Sequence, residues 1–243
     1  MRITRIHTGQ PLEPGREVVL ENGAAHYLCR VLRVSRGQIV ILFNGDGYDC
    51  EAEVRRPGRR EIALLVKTRS PGLPEPGLAI TVAQALSRGE RMDQTLQKCT
   101  ELGAAAFQPL VSERAEVRLD GDKLQRRLEH WRGVVISACE QCGRSRVPEV
   151  SAPLTLAEWL GRQASGVRLV LDPAAEAPLS RQPLVDRVTL VVGPEGGFSD
   201  AEIGGMRANG VQAVTLGPRI LRTETAAPAA VAVLQAVAGD LAG

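Results

Sequence analysis

The chain has 243 residues, 44% hydrophobic and 24% charged, the balance of a folded globular protein of one large or two small domains and not of a disordered chain. Five scattered cysteines exclude a secreted disulfide framework, and the most apolar stretch, Ala226 to Val237, is too short to span a bilayer, so a cytoplasmic protein without a membrane partner is expected. The net charge of +2 is unevenly spread: residues 1–72 carry twelve Lys/Arg against eight Asp/Glu, and only three of the thirty basic residues are lysine. Arginine forks bind phosphate bidentately, which suits a nucleic-acid partner, although codon bias gives the same composition.

In chain order, Ala24–Val34 reads as a short helix and Gln38–Phe43 as an apolar strand. Asn44-Gly-Asp-Gly47 is turn chemistry, and Tyr48 to Arg55 alternates apolar and charged residues with the period of a half-buried strand. Ile62–Val66 is a further strand, giving a small β-barrel of about 70 residues, too small to hold much of an enzyme pocket by itself. Arg69 to Leu78, with three prolines and two glycines, predicts a linker. Beyond it, strands alternate with helices. Leu78–Leu86, Ala105–Val111, Arg168–Leu171, Val188–Val192 and Val211–Leu216 read as strands. Arg91–Leu102, Asp122–Cys142, Thr155–Gln163 and Ala226–Val237 read as helices. This alternation predicts a mostly parallel sheet covered by helices, an α/β domain over 73–243 after a β-rich domain over 1–72.

Three windows carry candidate chemistry. The strand Val188–Val192 runs into Gly193-Pro-Glu-Gly-Gly197, and Ser199 with Glu202 forms a capping box for the next helix, with Phe198 and Ile203 as its staple. A glycine loop there sits at the C-terminal edge of a strand, where open α/β sheets bind ligands; it is neither a phosphate loop with Gly-Lys-Ser/Thr nor a dinucleotide fingerprint. The second window, Leu216-Gly-Pro-Arg-Ile-Leu-Arg-Thr-Glu-Thr-Ala226, precedes a helix that is Ala and Val on every side. Such a helix must be buried all round, in the core or at a subunit interface, and Thr223 or Thr225 is a candidate N-cap. The third, Cys139-Glu-Gln-Cys-Gly-Arg-Ser-Arg-Val-Pro148, has one Cys pair, and His7, His26 and His130 show no ligand spacing with it, so no metal is expected.

Gly193-Pro-Glu-Gly-Gly-Phe-Ser199 followed by the Leu216–Ala226 window resembles the double signature of the RsmE-type 16S ribosomal RNA uracil-N3 methyltransferases of the SPOUT class. Gln97-Lys-Cys-Thr-Glu-Leu-Gly103, Ser112-Glu-Arg114, Glu140-Gln-Cys-Gly-Arg144 and Val147-Pro148 are similar to that family's middle motifs, and His26 with Val31-Leu-Arg33 and Gly37 to its N-terminal element. Gln38 departs from the acidic residue expected after that glycine. The resemblance implies a trefoil-knotted α/β domain preceded by a PUA-like β-barrel, a homodimer, S-adenosylmethionine bound in the knot, and N3 of a uridine in 16S RNA or the small ribosomal subunit as acceptor. Carried onto this chain, the cofactor residues are Leu171, Gly193, Gly196, Gly197, Leu216, Gly217, Ile220, Leu221 and Thr223, with Leu171, Leu216 and Leu221 forming an adenine slot. Uracil N3 carries a proton and needs a base and an anion stabiliser. Glu195 and Glu224 are the base candidates and Arg222 the stabiliser, with pairing of Glu224 to Arg222 the structural alternative. Arg30, Arg33, Arg114 and Arg144 would hold RNA phosphates. A non-catalytic RNA-binding protein and a phosphate-using enzyme are the competing readings.

Overall fold

A computed structural model describes residues 3–58, 60–115, 121–163, 165–183 and 185–242. The described chain divides into two compact units, Met1–Glu75 with Cys139–Val147, and Pro76–Ala138 with Pro148–Gly243.

The first unit contains strands β1 (Arg5–His7), β2 (Glu17–Glu21), β3 (Ile39–Phe43), β4 (Tyr48–Arg56) and β5 (Glu61–Pro71) in one sheet of order β1-β3-β4-β5-β2. The β1–β3 pair is parallel and the other pairs of this sheet are antiparallel. Alternation in β4 puts Cys50, Ala52 and Val54 inward, against Val18, Leu42 and Leu64 in one apolar cluster. The predicted helix is α1 (Asn22–His26) continued by a π-helical turn, Tyr27–Val31, and it buries Ala25 and Leu28 on the same core. The predicted linker begins later than its prolines suggested. β5 continues to Pro71 because β2 pairs with only its first half; the second half pairs with β4 alone, where a proline ends a strand without breaking a ladder.

Residues 139–147, which sequence order assigns to the α/β domain, belong to the first unit because polar bonds hold them there. The Arg5 guanidinium grips both oxygens of Asp49 at 2.6 and 2.8 Å and donates to Ser145 Oγ at 3.0 Å. The Ser145 hydroxyl donates to Asp49 in turn, and the His7 amide donates to Glu140 Oε1 at 2.9 Å. Arg144 pairs with Glu75.

The second unit has a seven-stranded parallel sheet. Its strands are β6 (Ala79–Ala85), β7 (Ala106–Val111), β8 (Glu149–Val150), β9 (Leu154–Thr155), β10 (Val167–Leu171), β11 (Arg187–Val192) and β12 (Gln212–Val214), ordered β12-β10-β11-β6-β7-β8 with β9 also on β7. β6 and β11 are nearly unbroken apolar runs, as strands covered on both faces must be. Phe198, Trp159 of α4 (Leu156–Leu160) and Met206 of α5 (Asp200–Ala208) join the cluster formed by Ala83, Val170 and Val191. α2 (Arg91–Glu101) packs with α6 (Thr223–Ala238), and α6 also meets β6 and β11. α3 (Gly121–Cys142) buries Leu128, Trp131 and Val135 along one stripe and leaves Leu124 partly exposed.

α6 departs from the expectation of burial all round. Its buried residues, Thr223, Ala227, Ala230, Val231, Leu234 and Gln235, follow one heptad stripe, while Ala236 and Val237 are exposed in the single chain. Composition could not show this, because both faces are apolar.

Asp49→Ala should destabilise the first unit by about 3 kcal/mol, since it strands the Arg5 guanidinium, whose side chain is only 11% exposed. Asp49→Asn, which keeps an acceptor, should cost less. Thermal melts of the two variants give the comparison, and equal midpoints for Asp49→Ala and wild type would remove this ion pair as the fastener of 139–147.

Candidate active site

Parallel pairing aligns the C-terminal ends of β10, β11 and β12, with Leu171 level with Val214. The three segments that leave these strands, together with the first turn of α6, line a cavity of about 460 Å³, within the roughly 300–1,000 Å³ typical of small-molecule sites. Leu171, Gly193, Gly197, Leu216, Gly217, Ile220, Leu221 and Thr223 all line it, as do Glu195, Arg222 and Glu224. Ile220 lines the cavity while being 85% exposed. Gly196 is the exception: it faces a neighbouring recess.

Local chemistry builds the glycine loop. The Ser199 hydroxyl accepts from the Glu202 amide at 3.2 Å and the Glu202 carboxylate accepts from the Ser199 amide at 2.9 Å, the reciprocal box read from the sequence. Gly197 has φ +66°, a conformation that side chains rarely adopt, and a Cβ on Gly193 would stand 3.3 Å from the Phe198 ring.

Thr223 is not an N-cap. Arg222 occupies that position without a side-chain bond, and Thr223, one residue into the helix, is buried. Its hydroxyl donates to the Gly193 carbonyl at 2.8 Å and accepts from Gln84 Nε2 at 2.9 Å. Gln84 lies near the end of β6, fully buried, and its second Nε2 proton goes to the Ala85 carbonyl at 3.0 Å. The end of β6, the glycine loop and the start of α6 are therefore fastened at one hydroxyl. Sequence reading missed Gln84, although a lone amide in an apolar strand is itself a signal, since a buried polar group needs partners.

The two glutamates are held differently. Glu195 Oε1 accepts from the Arg88 amide at 2.9 Å and from Arg91 Nη1 at 2.7 Å. Partial burial pushes its carboxyl up, but the amides of Glu195 and Arg88 and the Arg91 guanidinium outweigh that and hold it below the usual carboxylate range. Glu224 Oε2 is buried without a hydrogen bond among the described residues, 3.6 Å from Arg91 Nε. Arg91, not Arg222, is thus the cation between the two carboxylates. It too was missed, and its signal is positional: a basic residue in the first turn of a helix opposes the helix dipole unless acids surround it.

Among the residues expected to hold RNA, Arg114 lies beside the glycine loop, its Nη1 donating to the Gly196 carbonyl at 3.0 Å and the Phe198 carbonyl at 3.3 Å. Arg30 and Arg33 are exposed on the first unit. Arg144 departs from that expectation: its side chain is only 9% exposed and is paired with Glu75. Cys139 and Cys142 are free thiols, and burial pushes Cys139 up to about 12, well away from a reactive thiolate.

Thr223→Val should cost about 1–3 kcal/mol of stability, because the Gly193 carbonyl and Gln84 Nε2 both lose a partner while side-chain shape is kept. Thr223→Ser should restore most of it. Denaturant midpoints decide the matter; a Thr223→Val midpoint at the wild-type value would show that the hydroxyl fastens nothing.

Residues 74–235 match the RNA methyltransferase domain family and residues 20–67 the RNA methyltransferase PUA domain family. The chain is 33% identical to a ribosomal RNA small subunit methyltransferase E from Buchnera aphidicola subsp. Schizaphis graminum, over 99% of this chain and 98% of that one. A Synechocystis protein of the same name is 36% identical, with 90% and 73% covered. A solved structure of the Neisseria gonorrhoeae ribosomal RNA small subunit methyltransferase E, bound to S-adenosyl methionine, is 37% identical with a TM-score of 0.94, covering 99% of this chain and all of that one. A PUA domain, an RNA methyltransferase domain and this similarity along almost the whole chain make the protein a member of the ribosomal RNA small subunit methyltransferase E family.

Proposed function

We propose that the chain methylates N3 of a uridine in 16S RNA of the small ribosomal subunit, in the cytoplasm, using S-adenosylmethionine. The observation that carries this reading is the cavity itself, built by three strand-end loops, on two of which the family signature falls. Its lining suits the cofactor. Leu171, Leu216 and Leu221 offer an apolar slot for adenine, the glycine backbone permits close approach, and the acidic Asp172, Glu195 and Glu224 suit a cationic sulfonium. When bound, S-adenosylmethionine supplies a methyl carbon that accepts the N3 electron pair as its bond to sulfur breaks.

The chain's own residues must remove the N3 proton and stabilise the charge that spreads onto the uracil oxygens. Glu224 is the better base of the two candidates, because Glu195 is committed to two N–H donors and has lost basicity to them. Glu195 instead anchors Arg91. Arg91 and Arg222 both line the cavity and can face the developing anion.

The threading of the C-terminal segment as a trefoil knot fits the strand order, in which β12 follows β11 in sequence yet lies outside β10. A homodimer fits the exposed apolar residues Ile220 and Val237 and the half-exposed outer face of α6, which a second copy would cover. Arg30 and Arg33 on the PUA domain would add phosphate contacts.

The decisive experiment is methyl transfer from labelled S-adenosylmethionine to small ribosomal subunits lacking the modification, followed by nucleoside analysis. Label should appear in 3-methyluridine; label in another nucleoside would overturn the uridine chemistry. Glu224→Gln should lower kcat by about 10²–10⁴-fold with cofactor affinity unchanged. Glu195→Gln should lower it less, and the reverse order would exchange their roles.

A further inference from the structure

The glycine loop has a second fastening besides Thr223. Arg114, exposed on the segment after β7, donates from Nη1 to two carbonyls of the loop, Gly196 at 3.0 Å and Phe198 at 3.3 Å. Each carbonyl belongs to a planar trans peptide whose N–H points the opposite way. In the Gly196–Gly197 unit that N–H donates to the Pro194 carbonyl at 2.9 Å, and in the Phe198–Ser199 unit it donates to Glu202 Oε2 at 2.9 Å. Both units are therefore bonded at both ends, with Arg114 holding the carbonyl of each. Glu202 closes the circuit. Its Oε1 accepts from the Glu113 amide at 2.8 Å, so the capping box that starts α5 also docks the segment carrying Arg114.

The fastening matters most between the two glycines. A peptide flanked by glycines meets no Cβ on either side, so its own covalent structure does not stop it from turning over. Turned over, its carbonyl would face the Pro194 carbonyl, and Gly197, which lines the donor cavity, would lose its place. An arginine suits the task of preventing this, because one Nη carries two protons and its bonds to carbonyls are charge-assisted. We propose that Arg114 is a positioning residue: by holding the Gly196 and Phe198 carbonyls it locks the glycine loop in the orientation that binds S-adenosylmethionine, in place of the phosphate contact that the family resemblance implies. The assignment rests on the cofactor reading of the cavity. It adds that cofactor affinity is set in part by a side chain that does not line the cavity.

The test uses the full-length protein, with S-adenosylmethionine affinity measured by calorimetry and 16S RNA binding measured across a series of potassium chloride concentrations. Arg114→Gln should bind the cofactor about ten-fold more weakly, the loss expected if the loop keeps its binding orientation about a tenth of the time. Its melting midpoint should stay at the wild-type value, since an exposed side chain that bonds a single loop adds little to global stability. The amides of residues 197–199 should exchange faster with deuterated water in the cofactor-free variant. Arg114→Lys, which keeps a charged donor, should regain part of the affinity. The slope of log K for RNA against log salt should match wild type. A slope reduced by about 0.7–0.9 with cofactor affinity unchanged would overturn the proposal and make Arg114 a phosphate ligand. A melting midpoint that falls together with the affinity would also overturn it, by making the arginine a support of the fold at large. Were wild-type protein not to bind S-adenosylmethionine, the cofactor reading would fall; faster exchange in Arg114→Gln would still uphold the lock on the loop, and unchanged exchange would overturn it.

Discussion

The site depends on one hydroxyl. Thr223 lies where three independent pieces of chain meet: the end of β6 through Gln84, the loop after β11 through the Gly193 carbonyl, and the start of α6 through its own backbone. Parallel strands bring their C-terminal ends to one edge, but that leaves the following loops free to diverge. A buried hydroxyl that donates to one loop and accepts from a neighbouring strand removes that freedom. Leaving either partner unpaired costs more than the bond gains, so the arrangement is strongly preferred over loosened alternatives. The capping box at Ser199 does the same for the far end of the glycine loop, and the loop between is left with little backbone freedom.

Electrostatics then divide the site by function. Arg91 is the pivot, with Glu195 at 2.7 Å and Glu224 at 3.6 Å. Two carboxylates that would otherwise repel at the mouth of an apolar cavity are tolerated because one guanidinium lies between them. They are not equivalent, because Glu195 also accepts the Arg88 amide and is thereby committed to its anionic form. An asymmetric acid pair of this kind separates a structural carboxylate from one whose lone pairs remain available.

What the sequence made legible follows the range of the interactions. The Ser199–Glu202 box, the long helix and the central strands of the second unit depend on neighbours within a few residues or on a strong apolar run, and they were readable. β1, β2, β8 and β9 are two to five residues long and owe their existence to partners far along the chain. Thr223 looked like a cap because a threonine before an apolar helix usually is one; its true partners are 30 and 139 residues away. Arg144 looked like a phosphate ligand because nothing local announces Glu75 as its partner. The site residues were found largely through resemblance, which supplies position but not role. Glu195 and Glu224 stood as equals until their donors could be counted.

The α6 helix shows how composition can mislead in the opposite direction. An Ala/Val helix with no polar face has no apolar side distinct from the rest, so periodicity is silent about which side packs. In the fold, one heptad stripe is buried by α2 and the sheet while the other face carries exposed apolar groups, and Ile220 protrudes from the loop just before it. Presenting such a face to water gains nothing. Because Thr223 at the first turn of the same helix fastens the glycine loop, anything that covers the outer face of α6 also stiffens the helix on which the cavity is hung. Order along α6 therefore reaches the cavity through one element, by way of Thr223 and the Gly193 carbonyl.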